Sequence, residues 1–337
     1  FYWDSYFIML GLAADGHWGM IDGMMKNYAY MIRKFGFIPT ANRTYFLSRS
    51  QPPFLSHMVE LLEKHKGKRV LVEYLPYLLA EPAFWMKGKS KLTRGGASTY
   101  RRVVRMPNGA ILNRYYDDDV TPRPESHHED VTTADHTPEP EKLYTHLRAG
   151  AESGWDFSSR WFDDPTDLRT IQTTDIVPVD LNCLLYHLEL TIARAYRLLK
   201  NAPAKQRFEL YAERRARAVQ EYCWDEHERF FVDFNTTKQR PTDTVSLAAA
   251  FALFTGIATT GQAQLVAGRL ENDFLRRGGL VTTLHANGQQ WDSPNGWASL
   301  QWVAIQGLRN YGHDQLADEI KHRWLTVNET VFRAKGK

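Results

Sequence analysis

Pro178-Val179-Asp180-Leu181-Asn182-Cys183-Leu184-Leu185-Tyr186-His187-Leu188-Glu189-Leu190-Thr191-Ile192 is the stretch that decides the fold. Leu181, Leu184, Leu185, Leu188 and Ile192 recur at the spacing of one helix face. Pro178 and Asp180 suit the start of that helix. The same period returns in Phe208, Ala212, Ala216, Val219 and Cys223, and in Leu316, Ile320, Trp324 and Val327. Further helices are predicted over Trp18–Lys34, Pro53–His65, Val70–Lys87, Glu141–Ala151, Thr244–Phe254, Gly261–Arg276 and Trp297–Tyr311. Gly36, Gly256 and Gly312 follow three of them closely, which fits a left-handed C-cap. Strand signals are few. Tyr100–Arg105 and Ile111–Tyr115 flank Pro107-Asn108-Gly109 and read as a hairpin, and Arg229–Asn235 as half of another. Asp117–Pro140 lacks periodicity and is expected to be a long loop. The chain therefore reads as all-α and one domain, with paired helices suggesting closure into a toroid.

Hydrophobic residues make up 43% of the 337 and charged residues 24%, enough apolar material for a large core. A net charge of +3, from 42 basic and 39 acidic residues, gives no electrostatic reason to expect nucleic acid. Arg214, Arg215 and Arg217 lie among Glu213 and Glu221 and are expected on a solvated helix face. Val245–Ala258, the longest apolar run, is too short to cross a bilayer, so no membrane is expected. Cys183 and Cys223 lack metal or redox spacing and are expected as buried thiols. His127, His128, Glu129 and Asp130 are consecutive, a spacing that rarely converges on one ion, so no metal is expected. No phosphate loop or nucleophile elbow appears, and no cofactor is expected.

Aromatic content is high, with ten Trp, sixteen Tyr and seventeen Phe. Three segments combine Trp with a carboxylate: Phe1-Tyr2-Trp3-Asp4-Ser5-Tyr6, Gly154-Trp155-Asp156-Phe157-Ser158-Ser159-Arg160-Trp161, and Gln289-Gln290-Trp291-Asp292-Ser293-Pro294-Asn295-Gly296-Trp297. A ring stacks on the C–H face of a sugar while a carboxylate accepts hydrogen bonds from its hydroxyls. A carboxyl against rings is also desolvated, which raises its pKa and keeps it protonated for general-acid work. The competing reading makes each Asp a helix cap and each Trp core. Recurrence in three segments favours a sugar site. Arg49, in Leu47-Ser48-Arg49-Ser50-Gln51-Pro52-Pro53, and Arg123 with Glu125, in Thr121-Pro122-Arg123-Pro124-Glu125-Ser126, add forked donors suited to vicinal hydroxyls.

These residues resemble those of the trehalases of glycoside hydrolase family thirty-seven. Gln290–Trp297 resembles one family signature and Phe1–Tyr6 the end of the other. Ser48–Pro53, Arg123-Pro124-Glu125 and Ala151–Trp161 stand between them in family order. The resemblance implies an (α/α)6 toroid, a six-hairpin barrel with a few short β-hairpins in loops. It implies hydrolysis of α,α-trehalose to two glucose molecules with inversion; apart from the resemblance, a monomer is expected. Asp156 would be the general acid. Trp3, Asp4, Asn42, Arg49, Ser50, Gln51, Arg123, Pro124, Glu125, Gly154, Trp291 and Asp292 would bind substrate. Thr40 stands where the family usually has a sugar-contacting Asn. The resemblance further implies that residues 1–337 are one catalytic domain lacking both ends. The base, a Glu, and a glycine-rich lid would follow the last helix, and an Arg would precede Phe1. A protein ending at Lys337 is then expected to be nearly inactive. Ile176–Asn182 is similar to secreted bacterial members, which favours the periplasm over the cytoplasm. The alternatives are a non-catalytic disaccharide-binding protein and a hydrolase of another disaccharide.

Overall fold

The computed structural model describes residues 1–93 and 95–336; Lys337, the last residue of the expected domain, lies outside them. The chain folds as two compact units, Phe1–Gly154 with Leu184–Ala218, and Trp155–Cys183 with Val219 onward.

The first unit is built from α1 (Asp4–Ala14), α2 (Trp18–Phe35), α3 (Leu55–Lys66), α4 (Arg69–Glu73), α5 (Leu75–Trp85), α6 (His127–Ala134) and α7 (Pro140–Glu152), with most of α8 (Val179–Leu198) and α9 (Ala202–Cys223). In α2, Ile21, Met25, Tyr28, Ala29 and Ile32 form the buried stripe. Gly36 ends it in the left-handed conformation, φ +84°, returning its N–H to the Ile32 carbonyl. α1 packs on α2 and α3, α2 on α5, and α6 on α7. The second unit holds α10 (Ala250–Phe254), α11 (Thr260–Arg269), α12 (Ala298–Asn310) and α13 (Asp314–Lys335). Here α12 packs against both α10 and α13.

The expected hairpin is present as β2 (Val103–Arg105) antiparallel to β3 (Ile111–Asn113), with Val104 opposite Leu112. β1 (Ser98–Tyr100) adds a third strand. Within Arg229–Asn235, Phe230–Phe231 pairs with Trp224–Asp225, and Phe234–Asn235 pairs with both Ile176–Val177 and Arg240–Pro241.

Several expectations need correction. Residues 4–14 form a helix that is not among those predicted from periodicity. The helix expected over Val70–Lys87 is interrupted at Tyr74, because the ring of Pro76 cannot follow a continuous turn. The helix expected from Thr244 begins only at Ala250; Ser246 bridges Thr283, and the Leu247 N–H goes to the Thr282 carbonyl. That expected over Gly261–Arg276 leaves α-geometry after Arg269 in a π turn, Leu270–Phe274. Asp117–Pro140 is not all loop, since α6 lies within it, with Glu129 and Asp130 favourably placed in its first turn. Arg215 is buried, not solvated, pairs with Glu189 and donates to the side-chain Oδ1 of Asn113. Cys183 and Cys223 are both buried thiols.

Candidate active site

In the first unit, α7 places Arg148 and Glu152 one turn apart, both buried. Glu152 accepts from the backbone N–H of Ser50 at 2.9 Å and of Tyr116 at 2.8 Å. It also accepts from Arg102, whose Nη2 lies 2.6 Å away and whose guanidinium packs over Phe84. Burial pushes its carboxyl pKa up, against the pull of Arg102. Asp117, fully buried, gathers Arg148 Nε at 2.9 Å, Ser48 Oγ at 3.1 Å and Arg49 Nη1 at 3.4 Å. The other arm of Arg49 is paired with Glu125. Arg123 is held on Asp130 of α6 by its backbone N–H, Nε and Nη2, at 2.7–3.2 Å. The Pro122 and Pro124 flanks restrict the backbone at that arginine. His127, His128 and Glu129 are exposed on α6. No group of three or more His, Cys, Asp or Glu side chains among the described residues could hold a metal.

The other sequence-derived candidates of this unit divide by exposure. Asp4, Asn42 and Pro124 are exposed, and Glu125 is partly so. Crowding by surrounding protein raises the Asp4 carboxyl above its ordinary range. Asn42 borders a pocket of roughly 210 Å³ with Asn27, Tyr28 and Met31. Trp3, Ser50 and Gln51 are buried. Ser50 Oγ donates to the Ile38 carbonyl at 2.6 Å and Gln51 Oε1 accepts from the Trp3 N–H at 3.2 Å, so both amide and hydroxyl groups are engaged in holding the chain. Thr40 is also buried, with Oγ1 on the Ser50 carbonyl at 2.6 Å. Gly154 has φ +76°, and a methyl added there would sit 2.8 Å from Trp3 Cε2.

In the second unit, Trp155–Trp161 is held along its length. Trp155, Ser158, Ser159, Arg160 and Trp161 are buried and Phe157 is half-buried, whereas Asp156 is exposed. Beside it, Trp155 stacks on Trp291, with ring centroids 5.4 Å apart and planes at 17°. The guanidinium of Arg160 lies over Trp155 and Trp161 and is doubly clamped, by Asp180 at 2.8 and 2.9 Å and by Asp233 at 2.7 and 2.9 Å.

Two substrate-binding expectations are corrected here. Trp291 is 4% exposed and covered by the parallel indoles of Trp155 and Trp297, leaving no face for a sugar. Asp292 is 0% exposed and accepts from Ser158 Oγ at 2.9 Å, Ser159 N at 2.7 Å, Ser159 Oγ at 2.9 Å and Thr283 Oγ1 at 2.6 Å. The three hydroxyls converge on Oδ1 and the backbone N–H on Oδ2. Sequence reasoning missed Asp117, Arg148, Glu152 and Arg160. A trace existed for Glu152 and Arg160, which stand inside the Ala151–Trp161 motif, whereas Asp117 and Arg148 lie in none of the quoted motifs.

A model of the trehalase family matches residues 1–337. The chain is 48% identical to a putative periplasmic trehalase of Salmonella typhi and to a periplasmic trehalase of Salmonella paratyphi A, over 99% of its own length. It spans 59% of the length of each. Among solved structures, the neutral trehalase of Saccharomyces cerevisiae superposes with a TM-score of 0.81 at 27% identity, covering 99% of this chain and 66% of the yeast one. A mannosylglycerate hydrolase of family sixty-three from Thermus thermophilus shares the fold, at a TM-score of 0.66 and 19% identity over 97% of this chain and 84% of that one. The fold class is accordingly the (α/α)6 toroid with a few short β-hairpins. Shared fold, ordered motifs and a family match over the whole length agree, and the chain belongs to the trehalase family.

Proposed function

We propose that the protein containing this chain hydrolyses α,α-trehalose to two glucose molecules with inversion, in the periplasm, and that Asp156 is the general acid. The observation that carries the reading is the contrast within Trp155–Trp161: a segment buried and clamped on both sides presents one exposed carboxyl, Asp156. A general acid needs that combination of reach and fixed position. Asp156 gives its proton to the glycosidic oxygen as the C1–O bond breaks. Water attacks C1 from the opposite face, and a second carboxylate takes the water's proton. In the first unit Arg49, Arg123 and Glu125 bind or orient the sugar hydroxyls, as do Asp4, Asn42 and Pro124, and Trp3 packs against Gly154. Membership of the trehalase family and the names of the Salmonella relatives support the substrate and the compartment.

The test uses the natural gene product. Asp156→Asn should lower kcat on trehalose by on the order of 10²–10⁴-fold while calorimetric trehalose binding persists. The same variant should still hydrolyse α-glucosyl fluoride, whose leaving group needs no protonation. Near-normal trehalose turnover by Asp156→Asn would remove it as the acid. Turnover of maltose but not trehalose by the unaltered protein would replace the substrate, and binding without turnover of either would make the protein a disaccharide-binding one.

A further inference from the structure

The segment Gln289–Trp297 grips the residues around Asp156 at four successive points. Trp291 stacks on Trp155, the residue before Asp156. The Trp291 N–H donates to the Phe157 carbonyl, the residue after it, at 3.0 Å. Asp292 then takes the Ser158 hydroxyl and both the hydroxyl and backbone N–H of Ser159. Trp291 is itself backed by Trp297, 4.2 Å away and 9° from parallel. Thr283 Oγ1 holds Asp292 from a third segment at 2.6 Å. A carboxylate with this many short donors has one orientation, and so do the residues it binds.

We propose that Asp292 and Trp291 are positioning residues that fix the backbone on both sides of Asp156 and so set where its carboxyl points. The assignment rests on Asp156 being the acid. Neither side chain is open to a sugar, so their influence on the reaction passes through the residues they hold. Replacing Asp292 by Asn keeps the shape but puts an NH2 group among four donors. The Asn oxygen can keep the fixed Ser159 N–H, which puts the NH2, with two hydrogens, where three hydroxyls now donate to one oxygen, so all three must turn and at most two can accept. Displacement of a reacting group by about 1 Å costs on the order of 10²-fold in rate.

The experiment compares Asp292→Asn, Thr283→Val and Asp156→Asn in the natural gene product, assayed well below each variant's Tm. Asp292→Asn is expected to lose on the order of 10²-fold in kcat with KM within about twofold, and to move the alkaline limb of the kcat–pH profile. Thr283→Val, which leaves three donors on Asp292, should lose less and keep its fold. Rescue is read on α-glucosyl fluoride: if only acid placement is damaged, Asp292→Asn should regain most of its rate there. A rise in KM at constant kcat would make Asp292 a sugar ligand. A lower Tm with unchanged kcat and pH profile would make it a purely structural residue. Either result overturns the proposal. If Asp156→Asn keeps trehalose turnover, the acid assignment itself fails, whatever Asp292→Asn does.

Discussion

Gly154 shows how a single residue can carry both conformation and contact. Its φ of +76° lies where L side chains are strained, and Trp3 occupies the space a Cβ would need. Gly154→Ala is expected to cost roughly 1–3 kcal/mol, read as a lower Tm. Arg123 makes a similar point by charge. From sequence alone, Arg49 and Arg123 read as substrate ligands. Both are buried and paired, Arg123 bidentately to a buried Asp130. Arg123→Ala removes the paired charge and leaves that buried carboxylate the backbone N–H of residue 123, so a loss of about 3–5 kcal/mol should accompany the loss of activity. Chemical denaturation of Arg123→Ala checks this; unchanged stability would assign the arginine to substrate alone. Such pairings were illegible in sequence because Asp130 reads as one of four charges in a polar run, and only the α6 turn brings it back to Arg123.

At the scale of elements, the link between the start of α1 and α5 makes stability depend on pH. Tyr2 accepts the Leu55 N–H at 2.8 Å and donates to Glu81, a buried carboxyl on α5. Burial lifts the Glu81 pKa from its ordinary 4.5 to about 8, with the Tyr2 hydrogen bond opposing. Below pH 4.5 folded and unfolded chains both hold this proton and nothing is lost. Between 4.5 and 8 only the unfolded chain releases it, so stability falls as pH rises, by up to about 1.4 kcal/mol per unit, and stays low above 8. Glu81→Gln should flatten that slope and raise Tm at pH 8; a slope unchanged in the variant would place its origin elsewhere. The helices themselves were readable where the apolar period is strong, as in Leu181–Ile192. They were missed or misplaced where local effects override it. Pro76 interrupts one predicted helix, pairing at residues 246 and 247 delays another, and α6 buries only Asp130 and Ala134 and so shows no stripe.

For the whole molecule, periodicity sufficed for an all-α chain, but the toroid and the sugar chemistry came from the ordered motifs together. The Trp–Asp segments were legible as special, yet their roles were not. Trp155 and Trp291 pack on each other, and Asp292 takes Ser158 and Ser159, 134 and 133 residues away, contacts that leave no local pattern; its third partner, Thr283, is 9 residues away. Asp156, between these buried neighbours, is exposed. No helix among the described residues is long and apolar enough to cross a membrane. The measurement that bears most directly on an inverting trehalase with Asp156 as acid is proton NMR of trehalose hydrolysis, followed from the first minutes in the natural protein and in Asp156→Asn. The natural protein should release α- and β-glucose in equal amounts before mutarotation, one ring inverted and one leaving unchanged, and Asp156→Asn should release almost none. Release of α-glucose alone, or comparable release by both proteins, would contradict the account.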